Sequence, residues 1–206
     1  MPDTVFTIGH STHTLERFIE LLKLHAITAI GDVRSKPYSR MNPQFNREGL
    51  SKQLAIAGVS YVFLGRELGA RSEDPSCYED GRVQYGLLAQ TELFRQGIGR
   101  VRDGMTKYRL ALMCAEKEPL DCHRFILVAR QLAAAGIPVQ HILADGSLES
   151  QAGLADRLRR ELDLPECDLF RSPEDVLSDA YRIQESRIAP TAAEIEGAAS
   201  PERTAR

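Results

Sequence analysis

Tryptophan is absent from this chain, and aromatic residues make up only 6% of it. Cysteine is scarce as well: four in 206 residues are too few for the disulfide framework of a small secreted domain. No run approaches the roughly 18 apolar residues of a membrane-spanning helix, so no bilayer crossing is expected. Met1-Pro2-Asp3 lacks the basic lead of a secretory signal. These absences predict a cytoplasmic protein. An excess of one charge is also missing, since 26 Lys and Arg stand against 29 Asp and Glu, a net charge of −3. A surface that grips nucleic acid all over is thereby excluded, whereas a local basic groove is not. No Gly-rich phosphate loop or dinucleotide fingerprint follows the first strand, so nucleoside triphosphate hydrolysis and nicotinamide chemistry are not expected.

What is present is an ordinary globular mixture, 43% hydrophobic and 27% charged, enough for one core without staples. Residues 4–9 (TVFTIG) read as a strand ending in Gly. Leu15, Phe18, Ile19 and Leu22 then recur at i, i+3, i+4 and i+7, the apolar face of a helix over 14–25. Further strands are predicted at 27–33, 59–64, 109–114 and 139–144. Between them, Asn46 caps an expected helix stopped by Gly58, and Leu87 to Val101 carry a helical repeat. Asp121 to Ala135 read as the clearest helix, capped by Asp121 and stopped by Gly136 and Pro138. This alternation predicts an α/β fold, an open, mostly parallel sheet flanked by helices on both faces. Residues 1–146 form the expected core domain. The Leu154, Leu158, Leu162 stripe and the Ser172-Pro173 start signal predict C-terminal helices over 147–189, packed on the core. Residues 190–206 have no apolar period and are expected to be a disordered tail.

In open parallel sheets, ligands bind beyond the carboxyl ends of the strands. Four predicted strands end in Gly9-His10-Ser11, Asp32-Val33-Arg34, Gly65-Arg66-Glu67 and Cys114-Ala115-Glu116, all bringing ionisable or nucleophilic side chains to one edge. The segments TIGHST (7–12), GDVRSKPYSR (31–40) and MCAEKEPLDCHR (113–124) resemble the family called domain of unknown function 488. The resemblance runs from about residue 5 to about residue 190. It implies an α/β domain with a shared polar site and carries no reaction with it.

The candidate catalytic residues are His10, Asp32, Glu116 and Cys122. His10 is read as general acid or base, assisted by Glu116 or Asp32; the alternative is that it packs in the turn while Ser11 or Thr12 caps the first helix. Cys122, behind Asp121 and before His123 and Arg124, is the candidate nucleophile or the redox partner of Cys114. Both cysteines read equally as small packing residues. A reactive Cys122 requires partial exposure, with Cys77 in the polar loop as the exposed comparison. Residues 31–71 hold seven Lys or Arg against three Asp or Glu, a local +4, so the rest of the chain carries −7. Ser11, Arg34, Arg40, Arg66, Arg124 and Cys114 are the expected substrate or anion contacts, with Tyr38, Phe45 and Tyr78 as faces for a base. On that reading Arg34→Ala and Arg40→Ala cost little stability.

His13, His25 and His141 fit solvent or helix-end positions. Ligand-type residues occur, but no pair has Cys-x-x-Cys or His-x-x-x-His spacing, so no metal site is assigned and a catalytic metal is not favoured. The expected function is an enzyme acting on a phosphate-bearing substrate, a nucleotide or nucleic-acid derivative, at the C-terminal edge of the sheet. The alternative is a non-catalytic nucleotide or nucleic-acid binding module using the same basic edge. Partners are thus an anionic small molecule or nucleic acid, with no membrane; the oligomeric state is not legible.

Overall fold

The computed structural model describes residues 4–167 and 169–197. Strand β1 (Val5–Gly9) is buried at every position, as its continuous apolar and small residues require of a strand covered on both faces. The Thr14 hydroxyl caps α1 (Leu15–Leu24) by accepting from the Arg17 N–H at 3.2 Å. Glu16 in its first turn and Lys23 in its last oppose the helix dipole. The alternation continues through β2 (Ala29–Asp32), α2 (Arg47–Ile56) and β3 (Ser60–Phe63). The long loop that follows contains α3 (Gly65–Leu68) and a ribbon of β4 (Tyr78–Glu79) with β5 (Arg82–Val83). After it come α4 (Tyr85–Leu88), α5 (Glu92–Met105) and β6 (Leu110–Cys114). A π-helical segment, Arg124–Ala129, runs into α6 (Arg130–Ala134). Then come β7 (Val139–Ile142), β8 (Leu148–Ser150), α7 (Gln151–Glu161), α8 (Pro173–Ile188) and α9 (Ala192–Gly197).

Six strands form one sheet in the order β3-β2-β6-β1-β7-β8, parallel except for β8 at the edge. Helices α1 and α2 cover one face over a core that includes Phe18, Leu22, Leu50 and Leu54. Helices α5 to α8 and the π-helical segment cover the other, around Phe94, Phe125, Leu132, Leu154 and Tyr181. The chain is therefore α/β with a C-terminal helical region. Among the described residues no helix is long and apolar enough to cross a membrane. The neighbours β1 and β6 send the chain in opposite directions, β1 towards β2 and β6 towards β7. A crevice opens beyond their carboxyl ends, the usual place for a ligand in such a sheet.

Local chemistry alters four expectations. The apolar repeat over Leu87 to Val101 is not one helix, because the Thr91 hydroxyl accepts from the Phe94 N–H at 3.2 Å and starts α5 afresh. Nor does Asp121 cap a helix. The Glu118 carboxylate takes the Leu120 N–H at 3.2 Å and closes a 3-10 turn over Pro119–Asp121, Cys122 is extended, and the next helix begins at Arg124. Residue 146 does not end the sheet, since β8 pairs with β7 as a hairpin. Residues 190–197 of the expected tail carry structure: Pro190 accepts from the Val83 amide and α9 follows; residues 198–206 lie outside the described residues.

Candidate functional site

Asp32, at the end of β2, is fully buried and paired with Arg34. The Arg34 guanidinium forks onto it, Nε to Oδ1 at 2.9 Å and NH2 to Oδ2 at 2.7 Å. It also reaches the Phe45 carbonyl at 2.9 Å, and Tyr61 on β3 donates its hydroxyl to Asp32 at 2.7 Å. Beyond the pair, His10 receives Arg34 NH1 at Nε2 (3.1 Å), so its Nδ1–H goes to the Ser11 carbonyl at 2.9 Å. The ring stacks on Phe45 with centroids 4.3 Å apart. Burial pushes the His10 imidazole down to about 4; the Ser11 hydrogen bond opposes it, and the Arg34 charge adds to it more than Asp32 and Glu116 each take away. His10 is neutral at pH 7 with both nitrogens engaged.

A second group gathers at the end of β6. Cys114 ends the strand and Glu116 follows the bend at Ala115, and both side chains join one group. Cys122 and His123 are adjacent, yet both side chains converge there because Cys122 is extended (φ −134°, ψ 138°) and His123 already helical (φ −59°, ψ −23°). Cys122 Sγ lies 2.9 Å from Glu116 Oε2; Cys114 and Cys122 Sγ lie 3.6 and 3.9 Å from His123 Nδ1. The His123 Nε2–H is held by the Val33 carbonyl at 3.1 Å. The Cys122 sulfur also accepts the Arg124 N–H at 3.4 Å. Burial pushes the Cys114 thiol up; at Cys122 burial is outweighed by Cys114, Arg124 and His123, which hold that thiol well below its ordinary range. Burial and the neighbouring Cys122 push the Glu116 carboxyl up.

Gly9 lets this group form over β1. A Cβ there would sit 1.9 Å from the Glu116 carbonyl oxygen, which Arg124 NH1 already holds at 2.8 Å. Gly9→Ala is expected to lower stability by about 1–3 kcal/mol, the usual cost of overpacking. Urea denaturation checks this, and an unchanged midpoint would show that the 115–117 segment moves freely.

Two hollows occupy the crevice. One, of about 260 Å³, is lined by His10, Ser11, Arg34, Lys36, Tyr38 and Lys117 among others, with no carboxylate in its wall. The other, of about 640 Å³, shares Ser11, Thr12 and Lys117 with the first and extends past Glu118 to Asp145. The bent segment after β6 serves both sites: Ala115 and Lys117 line the cationic hollow, while Cys114 and Glu116 belong to the thiol group.

A family model described as Domain of unknown function DUF488 matches residues 14–131, more than half of the chain. The chain belongs to the DUF488 family. Neither comparison with curated proteins nor comparison with solved structures finds a match. The DUF488 match spans Asp32, Arg34 and the whole Cys114 to Arg124 segment, but begins after His10 and Ser11, so it is narrower than the resemblance over about 5–190.

In this DUF488 domain several expected residues take different places. Arg34 is 5% exposed and Arg124 fully buried, with carbonyls of Glu116 and Lys117 as hydrogen-bond acceptors, so neither is the exposed anion anchor that the sequence suggested. Arg40 is exposed and does not line the crevice; Arg66 lines a separate hollow of about 450 Å³ beside α3. Ser11 lines both hollows of the crevice in a left-handed backbone (φ 49°). Phe45 is buried beneath His10 rather than offered to a base, whereas Tyr38 is exposed. His141 is fully buried. Cys122 is 1% exposed, which fails the partial-exposure condition for a reactive thiol, and Cys77 is buried too; the exposed cysteine is Cys167. The sequence reading missed Tyr61, Lys36 and Lys117. Tyr61 had no signal, because only strand order brings β3 beside β2.

Proposed function

We propose that this DUF488 protein is an enzyme acting on a phosphate-bearing substrate of nucleotide size. The observation that carries the reading is the cationic hollow at the β1/β6 strand ends, walled by Lys36, Lys117 and Arg34 with no carboxylate. A phosphate there meets two lysines, and the uncharged remainder of the substrate extends into the adjoining, larger hollow. Glu116, whose carboxyl carries a raised pKa, faces the thiol group rather than the hollow and acts through its charge on His10, the imidazole in the hollow's wall. Burial of Cys122 counts against direct thiol attack on a substrate. One observation favours the non-catalytic module instead: both nitrogens of His10, which lines the cationic hollow, are already engaged.

The test is calorimetric titration with inorganic phosphate and with nucleoside monophosphates, followed by an activity screen on phosphate esters. Lys117→Ala is expected to weaken phosphate binding about tenfold or more, the loss of one charge-assisted hydrogen bond. Glu116→Gln is expected to keep phosphate binding and lose turnover. Phosphate affinity unchanged in a Lys36→Ala/Lys117→Ala double variant would overturn the site. Binding without turnover of any ester would leave the binding module.

A further inference from the structure

Among the described residues, one set of side chains brings four metal-type ligand atoms within 4.8 Å of one another: Cys114, Glu116, Cys122 and His123. We propose that these four residues form a four-coordinate site for a divalent cation of the zinc class. The inference concerns the thiol group alone and does not depend on the phosphate hollow.

The geometry is close to what such an ion requires. With metal–sulfur bonds of about 2.3 Å and metal–nitrogen bonds of about 2.0–2.1 Å, a tetrahedral centre sets sulfur and nitrogen roughly 3.5 Å apart. The observed separations from His123 Nδ1 are 3.6 Å to Cys114 and 3.9 Å to Cys122. The Cys122–Glu116 contact of 2.9 Å is that of two groups holding a proton between them. An ion in place of that proton, with a metal–oxygen bond of about 2.0–2.2 Å, would spread the pair by about 0.6–0.8 Å. Glu116 is the member best able to move, because the residue as a whole is exposed although its carboxyl turns inward, whereas the other three are buried.

The imidazole is already set for the task. Its Nε2–H donates to the Val33 carbonyl, which fixes the ring and turns Nδ1 towards both sulfurs. Metal-bound histidines are held by such an outer hydrogen bond. Charge points the same way. Arg124 is fully buried, its guanidinium donates to the carbonyls of Glu116 and Lys117, and its Nε has no hydrogen-bond partner. A buried guanidinium of that kind needs a compensating negative group. Two thiolates, one carboxylate and a dication sum to −1, which Arg124 brings to zero. The metal-free group reaches the same balance by holding two protons, so binding replaces two protons with one dication and releases them to solvent. Two sulfurs, one nitrogen and one oxygen suit zinc and its neighbours, not magnesium or calcium, which take oxygen ligands.

The tight-spacing rule assigns no metal from the sequence because the ligands come in two separated pairs, Cys114-x-Glu116 and Cys122-His123. The turn over Pro119–Asp121 and the extended Cys122 fold one pair onto the other. The π-helical segment begins directly after them, a wide turn of the kind that recurs at functional sites.

The test uses the full chain, reduced, stripped with a chelator and titrated with zinc, and in parallel with cobalt followed by absorbance. The expected result is one equivalent bound, about two protons released per zinc, a thiolate-to-cobalt charge-transfer band in the near ultraviolet and the d–d bands of a tetrahedral ion. Cys122→Ser, checked for folding by circular dichroism, is expected to lose more affinity than the roughly 10–100-fold that follows removal of a ligand's outer hydrogen-bond partner. If that variant does not fold, Glu116→Gln, at an exposed position, is to shift the cobalt d–d bands while keeping the charge-transfer band. No stoichiometric binding to the reduced wild type would overturn the site, as would a cobalt spectrum without the thiolate band. An unchanged cobalt spectrum in Glu116→Gln would remove Glu116 from it.

Discussion

Arg34→Ala is expected to cost about 3–5 kcal/mol of folding stability, the loss that follows when one partner of a buried ion pair is removed. The alanine leaves Asp32, with no exposed surface, supported only by the Tyr61 hydroxyl and the Arg34 backbone N–H. It also leaves the Phe45 carbonyl and His10 Nε2 without the donors they now have from the guanidinium. With a urea slope of about 1–3 kcal/mol per molar for a chain of this size class, the midpoint falls by roughly 1–5 M. A loss below about 0.5 kcal/mol would mean that Asp32 is hydrated after all and that the pair is a surface feature. The companion variant Asp32→Leu/Arg34→Met removes both charges. It is expected to lose less than Arg34→Ala alone, because no uncompensated charge stays behind. Additive losses would argue against a coupled pair.

Acid should unfold the protein through His141 before most carboxylates titrate. The ring lies between Thr7 Oγ1 at 2.7 Å and Gln151 Oε1 at 2.8 Å, and Gln151 in turn donates its Nε2–H to the Tyr181 hydroxyl oxygen at 2.9 Å. This chain ties β1 and β7 to α7 and α8. Burial, with smaller contributions from Arg124 and Arg157, pushes the His141 imidazole down to about 3 from 6.5. The folded state therefore stays neutral while the unfolded state takes up a proton below pH 6.5. Stability is full above that pH and is lost as pH falls through the window from 6.5 towards 3. At 1.36 kcal/mol per pH unit, His141 alone removes about 1.5–2 kcal/mol between pH 6.5 and pH 5. His10, held down to about 4, adds a loss of the same sign. Urea midpoints of wild type and His141→Gln across pH 7 to 4.5 separate the two. The variant should show a shallower slope by nearly one proton, whatever its absolute stability. Parallel curves would show that His141 is protonated in the folded protein.

Much of the site was legible residue by residue. Strand ends carry His10, Asp32 and Cys114 to one edge because each follows an apolar run of strand length, and the parallel arrangement follows from the alternation of those runs with helical repeats. The roles were less legible. Arg34 and Arg124 look like exposed anion contacts in a basic segment, and nothing in their neighbours' spacing announces burial. Burial depends on what folds over them: the Phe45 turn for Arg34, the Glu116-Lys117 segment for Arg124. Cys77 fails in the opposite sense, since a polar loop with a buried cysteine differs from an exposed one only by its tertiary cover.

By itself, the sequence determined the element order, the two covered faces of the sheet and the edge at which chemistry collects. Those properties depend on short-range periodicity and on turn residues, which act within a few positions of each other. Only the tertiary structure decided that β6 inserts between β2 and β1, which sets Cys114 beside the end of β1 and allows His123 to reach the Val33 carbonyl after β2. It alone placed Lys117 in the cationic hollow and Glu116 against Cys122, and converted adjacent Cys122 and His123 into convergent side chains. The physical reason is that strand order and the closing of a loop over a glycine at Gly9 are settled by the packing of distant segments, whose energies are absent from any local pattern.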